Sequence, residues 1–337
     1  MKRTIILFSS VLLLLLAACN GGTNSTQQKN AVDYSAVAIP QFDTDSAMAY
    51  TAAQLAFGPR TPGSKGQQQC AQYLAKMMRQ WCDTVIVQEF NATLWNGQSA
   101  KGQNIIATIY PEGGEEANTP HILLAAHWDS RLWADHDPDE ANHKKPIPGA
   151  NDGASGVATL MEMARIMSTN RLNATIDFVF FDLEDQGVPE WAEEADYRDN
   201  TWCLGSQYWS STPHKPYYTA RFGILFDMIG VSQPRFTKEM FSSQYASIIL
   251  DKVWHTAEVL GYGNVFVNSK TDPIMDDHVY INRIANIPTI DIVQNSIDCS
   301  FYPYWHTMKD DLDAVDAESL RTVANVTLKT IYADFAK

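Results

Sequence analysis

From residue 45 onward the chain alternates between short apolar runs and amphipathic stretches. Asn104 to Tyr110 and His121 to Ala126 are apolar runs of strand length. Thr175 to Phe181, Phe222 to Phe226 and Pro288 to Val293 read as further buried strands, and Thr84 to Phe90 alternates like a strand with one wet face. Helical spacing of apolar residues predicts helices over Asp45 to Phe57, Gln67 to Trp81, Val157 to Met167, Trp202 to Ser210, Tyr245 to Leu260, Asp277 to Ile284 and Glu318 to Phe335. The second of these follows the turn residues Pro62-Gly63-Ser64. Apolar strands alternating with helices predict an α/β fold, with a mostly parallel sheet covered on both faces.

In such sheets ligands bind beyond the carboxyl ends of the strands. Acidic residues stand there on three separate strands: Asp129 after the His121 run, Glu184 and Asp185 after the Thr175 run, and Asp227 after the Phe222 run. Asp135 to Lys145 is polar and charged and reads as a solvated inserted loop. No internal repeat is visible.

The first residues have a different logic. Lys2 and Arg3 precede an almost wholly apolar stretch from Ile5 to Leu16, and Leu16-Ala17-Ala18-Cys19 follows. The run is short for a membrane span, which needs about 20 residues. It reads as a signal peptide over residues 1–18. The Cys directly after it resembles a bacterial lipobox, which implies cleavage before Cys19 and lipid on its sulfur. Residues 19–42 then form a flexible tether, polar and with little to bury in its first part, and residues 43–337 form one domain. That domain is expected to be exported, anchored to a bacterial membrane through Cys19, and monomeric.

Hydrophobic residues make up 45% of the 337, enough for a globular core. Lys plus Arg is 25 against 39 Asp plus Glu, for a net charge of −14. With no basic stripe, a body this acidic excludes nucleic acid as a partner. Cys70, Cys82, Cys203 and Cys299 lack zinc-motif spacing, so they are disulfide candidates with three possible pairings, or buried free thiols.

The chemistry concentrates in four segments: Gly149-Ala150-Asn151-Asp152-Gly153, Phe180-Phe181-Asp182-Leu183-Glu184-Asp185, Leu225-Phe226-Asp227, and Tyr304-Trp305-His306-Thr307-Met308. They offer one imidazole and several carboxylates, a donor set that zinc accepts in catalytic sites. Adjacent Glu184 and Asp185 allow one to bind metal while the other moves a proton.

The ordered set Ala126-His127-Trp128-Asp129-Ser130, Asp152, Glu184-Asp185, Asp227 and His306 resembles the zinc exopeptidase superfamily of bacterial aminopeptidases. Within it the nearer likeness is to glutaminyl cyclases. Arg60-Thr61-Pro62-Gly63-Ser64, Phe180-Phe181-Asp182, Phe226-Asp227-Met228-Ile229-Gly230, Asp276-Asp277-His278 and Trp305-His306-Thr307-Met308 are similar to that family's segments. The resemblance implies a single-domain α/β/α sandwich around a mixed sheet. It implies one zinc held by Asp152, Asp185 and His306, with Glu184 as acid–base, Asp227 and Asp276 as a hydrogen-bonding carboxyl pair, and Trp191 and Trp305 walling the pocket. The substrates it implies are peptides with N-terminal Gln, converted to pyroglutamyl peptides with loss of ammonia.

Departures are visible too. Animal cyclases usually carry Glu where Asp185 stands and His where Asp291 aligns, and the spacing before Trp191 differs by one residue. Gly149 to Gly156 is aminopeptidase-like. His127 and Asp227 are the residue types that hold a second metal in two-zinc exopeptidases, so a two-zinc aminopeptidase is the alternative reading.

Overall fold

Six strands form the central sheet: β1 (Thr84–Thr93), β2 (Ser99–Ile109), β3 (His121–His127), β4 (Thr175–Phe181), β5 (Phe222–Asp227) and, last in the chain, β8 (Thr289–Val293). Their order is β1-β2-β4-β3-β5-β8. The pairs β4–β3, β3–β5 and β5–β8 are parallel, whereas β1–β2 and β2–β4 are antiparallel. The sheet is therefore mixed, with a parallel centre and an antiparallel edge. This computed structural model describes residues 34–193, 200–298 and 300–336. Cys19, the expected signal peptide, the first part of the tether and Cys299 lie outside the described residues.

Alternation along the strands decides which residues meet which layer. Ile122, Leu124 and Ala126 of β3 face the larger core, with Phe178 and Phe180 of β4 and Ile224 and Phe226 of β5. That side is covered by α1 (Thr44–Leu55), α2 (Lys65–Met78), α3 (Gly156–Thr169), α6 (Ser247–Val259) and α8 (Ala317–Phe335). Leu123, Ala125, Val179 and Phe181 face the other side. There a thinner layer packs: Trp209 of α4 (Leu204–Ser211), and Ile281 just after α7 (Asp277–Tyr280). Helix starts follow side-chain caps: Asp43 accepts from the N–H groups of Asp45 and Ser46, Ser64 from Gln67, and Asp316 from Glu318 and Ser319.

The structure differs from the sequence reading in places. The helix expected over Tyr245 to Leu260 forms as α6 (Ser247–Val259), and a further short helix, α5 (Met240–Tyr245), precedes it across the non-helical Ala246. A small parallel pair, β6 (Phe236–Lys238) and β7 (Phe266–Lys270), is not legible in the short mixed segments that form it. Strands β1 and β2 run on as a hairpin from Thr84↔Thr108 to Thr93↔Ser99, beyond the stretches whose pattern predicts strand. Its far part is largely exposed and polar, so periodicity there is weak. The packed chain also starts before residue 43. Tyr34 and Phe42 are buried, Tyr34 meets the His255 ring edge-on, and Lys329 Nζ donates to the Val37 carbonyl. Cys70, Cys82 and Cys203 are free thiols. Among the described residues no helix is long and apolar enough to cross a membrane.

Candidate active site

The parallel strands β3, β4 and β5 end side by side, and each delivers a polar group at its carboxyl end. His127 closes β3, Asp227 closes β5, and Glu184 and Asp185 follow β4. Asp152 comes from the turn before α3, and His306 from the loop after β8. All six are buried. His306 Nε2 lies 3.1 Å from Asp185 Oδ1 and 3.6 Å from Asp152 Oδ2. The donor atoms of Asp152, Asp185 and His306 fall within 4.8 Å of one another.

Two carboxylates aim this trio from behind. Asp129 accepts the N–H groups of Glu184 at 3.0 Å and Asp185 at 3.2 Å, and the Gln186 side-chain amide at 2.9 Å. Asp310 accepts those of Asn151 at 2.8 Å and Asp152 at 3.2 Å. Arg60 braces the same turn by donating to the carbonyls of Trp128, Pro148 and Gly149. Gly153 lies so close to His127 that an added Cβ would stand 2.4 Å from Nε2, which explains the glycine. Leu183, Met228 and His306 all adopt left-handed backbone conformations, a concentration of strain at the site.

The pattern of peptidase family M28 matches residues 104–331, well over half of the chain. The chain belongs to peptidase family M28. Solved structures of similar proteins include Bacteroides thetaiotaomicron glutaminyl cyclase (44% identical, 88% of this chain and 99% of that one covered, TM-score 0.83) and Tannerella forsythia glutaminyl cyclase (46%, 87% and 99%, 0.82). A Zn-dependent exopeptidase from Parabacteroides distasonis is equally similar in fold (41%, 88% and 99%, 0.83). A probable zinc metalloprotease of Pyricularia oryzae is 40% identical over 88 residues; they are 26% of this chain and only 16% of that relative's length.

The M28 site fits a zinc ion. Asp152 Oδ2 and Asp185 Oδ2 are buried without a hydrogen-bond partner, as is His306 Nδ1. Burial, aided by the Arg131 charge, pushes the His306 pKa well down, so its imidazole is neutral, the form that binds metal. Burial and the Asp185 charge push the Glu184 pKa well up, although His127 opposes them, which makes its carboxylate a stronger base than a free one.

His127 behaves differently. Its Nε2 lies 3.0 Å from Asp152 Oδ1 and 3.1 Å from Asp227 Oδ1, and its Nδ1 3.5 Å from Asp129 Oδ1. Burial alone would lower its pKa, but bonds to Asp129, Asp152 and Asp227 carry it well above the usual value. His127, Asp152 and Asp227 are thus also a compact trio of possible donors, sharing Asp152 with the first.

Several sequence-based expectations need correction. Trp191 makes no ring contact with His306 among the described residues. It is 39% exposed and packs edge-on against Trp95 and Trp133, with Lys144 over its ring. Trp202 is the aromatic beside the site: its ring lies parallel to His306 at 6.2 Å, while Trp305 stacks on His306 from 3.8 Å. Trp202 and Trp305 line a cavity of about 300 Å³ together with Ile274, Met275 and Phe301. Asp276 does not reach Asp227 with a hydrogen bond among the described residues. Its Oδ1 caps α7 by accepting from Asp277, and its carboxyl shares a compact buried cluster with His278 and Asp291. Burial and the Asp227 charge still raise its pKa to about 6. Nor is Asp135 to Lys145 a plain solvated loop. Asp135 is buried against Arg131 at 2.6 Å, and Asp137 accepts the Met308 N–H at 2.9 Å, so this loop fixes the His306 segment.

Proposed function

We propose that this chain converts N-terminal glutaminyl residues of peptides to pyroglutamyl residues and releases ammonia. The observation that carries the reading is the pairing of a compact three-donor cluster (Asp152, Asp185, His306) with the buried carboxyl of Glu184 beside it. Similarity to two bacterial glutaminyl cyclases along almost their whole length supports it.

Asp152, Asp185 and His306 would hold one zinc ion. Bound there, zinc would supply Lewis-acid polarisation of the carbonyl of the substrate's side-chain amide. Glu184 accepts a proton from the substrate's neutral α-amine as that nitrogen attacks Cδ, the carbonyl carbon of the side-chain amide. The new C–N bond closes a five-membered ring, the amide C–N bond breaks, and the proton passes from Glu184 to the departing nitrogen, which leaves as ammonia. Because nucleophile and electrophile belong to one residue, holding the side chain folded supplies much of the rate; such reactions reach effective molarities of about 10⁵–10⁸ M. Trp202 and Trp305 wall the apolar cavity and keep competing water away. Burial and the Asp227 charge raise the proton affinity of Asp276, and burial and the Asp152 charge raise that of Asp227 although His127 opposes them, so these two carboxyls would serve as a proton reserve for Glu184.

The two-zinc aminopeptidase reading draws on the His127, Asp152 and Asp227 trio. His127 weakens it, because its Nε2 already bridges both carboxylates and a protonated imidazole takes the place of a second cation. Metal analysis separates the two. One zinc per chain is expected, lost on replacing His306 and retained on replacing His127. Two tightly held zinc ions would reverse the ranking. The setting belongs to the same proposal: export, lipid attachment at Cys19, and a monomeric catalytic domain outside the cytoplasm.

A further inference from the structure

Cys203 is a free, fully buried thiol whose Sγ lies 3.2 Å from Glu184 Oε1. Its placement is enforced by backbone on both sides. The Cys203 N–H donates to the Glu184 carbonyl at 2.8 Å, and the Leu204 N–H to the Leu183 carbonyl at 3.0 Å. Cys203 holds a left-handed conformation immediately before α4, which turns its side chain back upon Glu184. Glu184 Oε2 is turned elsewhere, 3.9 Å from His127 Nδ1.

We infer that Cys203 is a positioning residue for Glu184: its S–H group donates to Oε1 and leaves Oε2 as the oxygen that moves the proton. This rests on the reading of Glu184 as the acid–base. Burial and the Glu184 charge push the thiol's pKa well up, so it stays an S–H donor and is not a nucleophile. A thiol suits the task because it is a weak donor. It fixes the carboxylate's orientation with little effect on its basicity. Cys203 is buried beside Glu184 and Asp276, with the three donor atoms within 4.8 Å of one another.

The test is a double-mutant cycle on the zinc-loaded protein with an N-terminal Gln peptide, with zinc content and thermal midpoint measured on each variant. Cys203→Ala should lower kcat by about tenfold with KM changed less than about twofold, because a misplaced catalytic group costs rate more than binding. Cys203→Ser, which keeps a donor, should recover most of that loss. In a Glu184→Gln background, Cys203→Ala should change the residual rate by less than about twofold, since residues acting through one another are not additive. Unchanged kcat in Cys203→Ala would overturn the proposal. So would a Ser variant no better than Ala, or an equal loss in both backgrounds; each would make Cys203 a packing residue only. Should Cys203→Ala not fold, Cys203→Val fills the space without a donor and is judged by the same outcomes. A fully active Glu184→Gln sinks the acid–base reading itself, and this proposal with it. An inactive Glu184→Gln beside a fully active Cys203→Ala sinks this proposal alone.

Discussion

Asp129 accepts the backbone N–H of Asp185 at 3.2 Å, so a carboxylate that faces away from the donor cluster fixes one that belongs to it. The same group holds the Glu184 N–H and the Gln186 side chain. Asp129→Ala leaves these donors unpaired in a dry site, a loss of about 3 kcal/mol. Chemical denaturation should show that loss, and dialysis against a mild chelator should strip zinc from the variant sooner than from the wild type. Equal stability and equal zinc retention would remove Asp129 from this role.

Glu184→Gln keeps the shape of the side chain and cannot take up a proton. Turnover should fall by about 10²–10⁴-fold, the usual worth of a general acid–base. Zinc content should stay at the wild-type level, because the donor cluster is Asp152, Asp185 and His306. Loss of the metal in this variant would mean that Glu184 is itself a ligand.

His214 offers a pH test far from the metal. Trp209 Nε1 donates to its Nδ1 at 3.3 Å, which requires a neutral ring, and burial lowers its pKa to about 4. Between the ordinary value of about 6.5 and the folded value, the unfolded chain binds the proton and the folded one does not. The stability is therefore complete above pH 6.5 and is lost as pH falls towards 4, by up to about 3 kcal/mol. Thermal midpoints of His214→Gln should fall less steeply over that window than those of the wild type. Parallel curves would show that His214 does not titrate as described.

Much of the fold and site is legible in the sequence because the apolar runs are strongly patterned and the acidic residues cap them. β3, β4 and β5 end where their hydrophobic runs end, so pattern alone gathers His127, Glu184, Asp185 and Asp227 at one end of the sheet. The less legible parts depend on long-range backbone contacts. Nothing in the spacing of Asp310 or Asp129 says that each clamps the turn bearing a donor from a distant segment. The family likeness points to Trp191, whereas the ring beside His306 is that of Trp202; the faint signal for Trp202 is its place just before Cys203, at the start of α4. The polar part of the β1–β2 hairpin carries no periodicity, since neither face of it is consistently buried.

Cys19→Ser tests the proposed anchor, which rests on the apolar stretch ending in Leu16-Ala17-Ala18-Cys19. The wild type should fractionate with membranes and label with a radioactive fatty acid. The variant should lose the label and appear as soluble exported protein or as an unprocessed precursor. An unlabelled, soluble wild-type protein with an N-terminus other than residue 19 would overturn the anchor without touching the chemistry.

The central claim is cyclisation, and the product of one reaction decides it. A peptide with N-terminal Gln is incubated with the zinc-loaded protein, and both peptide and small-molecule products are followed by mass spectrometry. The account predicts a peptide of unchanged length, lighter by one ammonia and blocked to amine reagents, with free ammonia in equal amount and none after the zinc is removed. Release of free glutamine together with a peptide shortened by one residue would contradict it and make the protein an aminopeptidase.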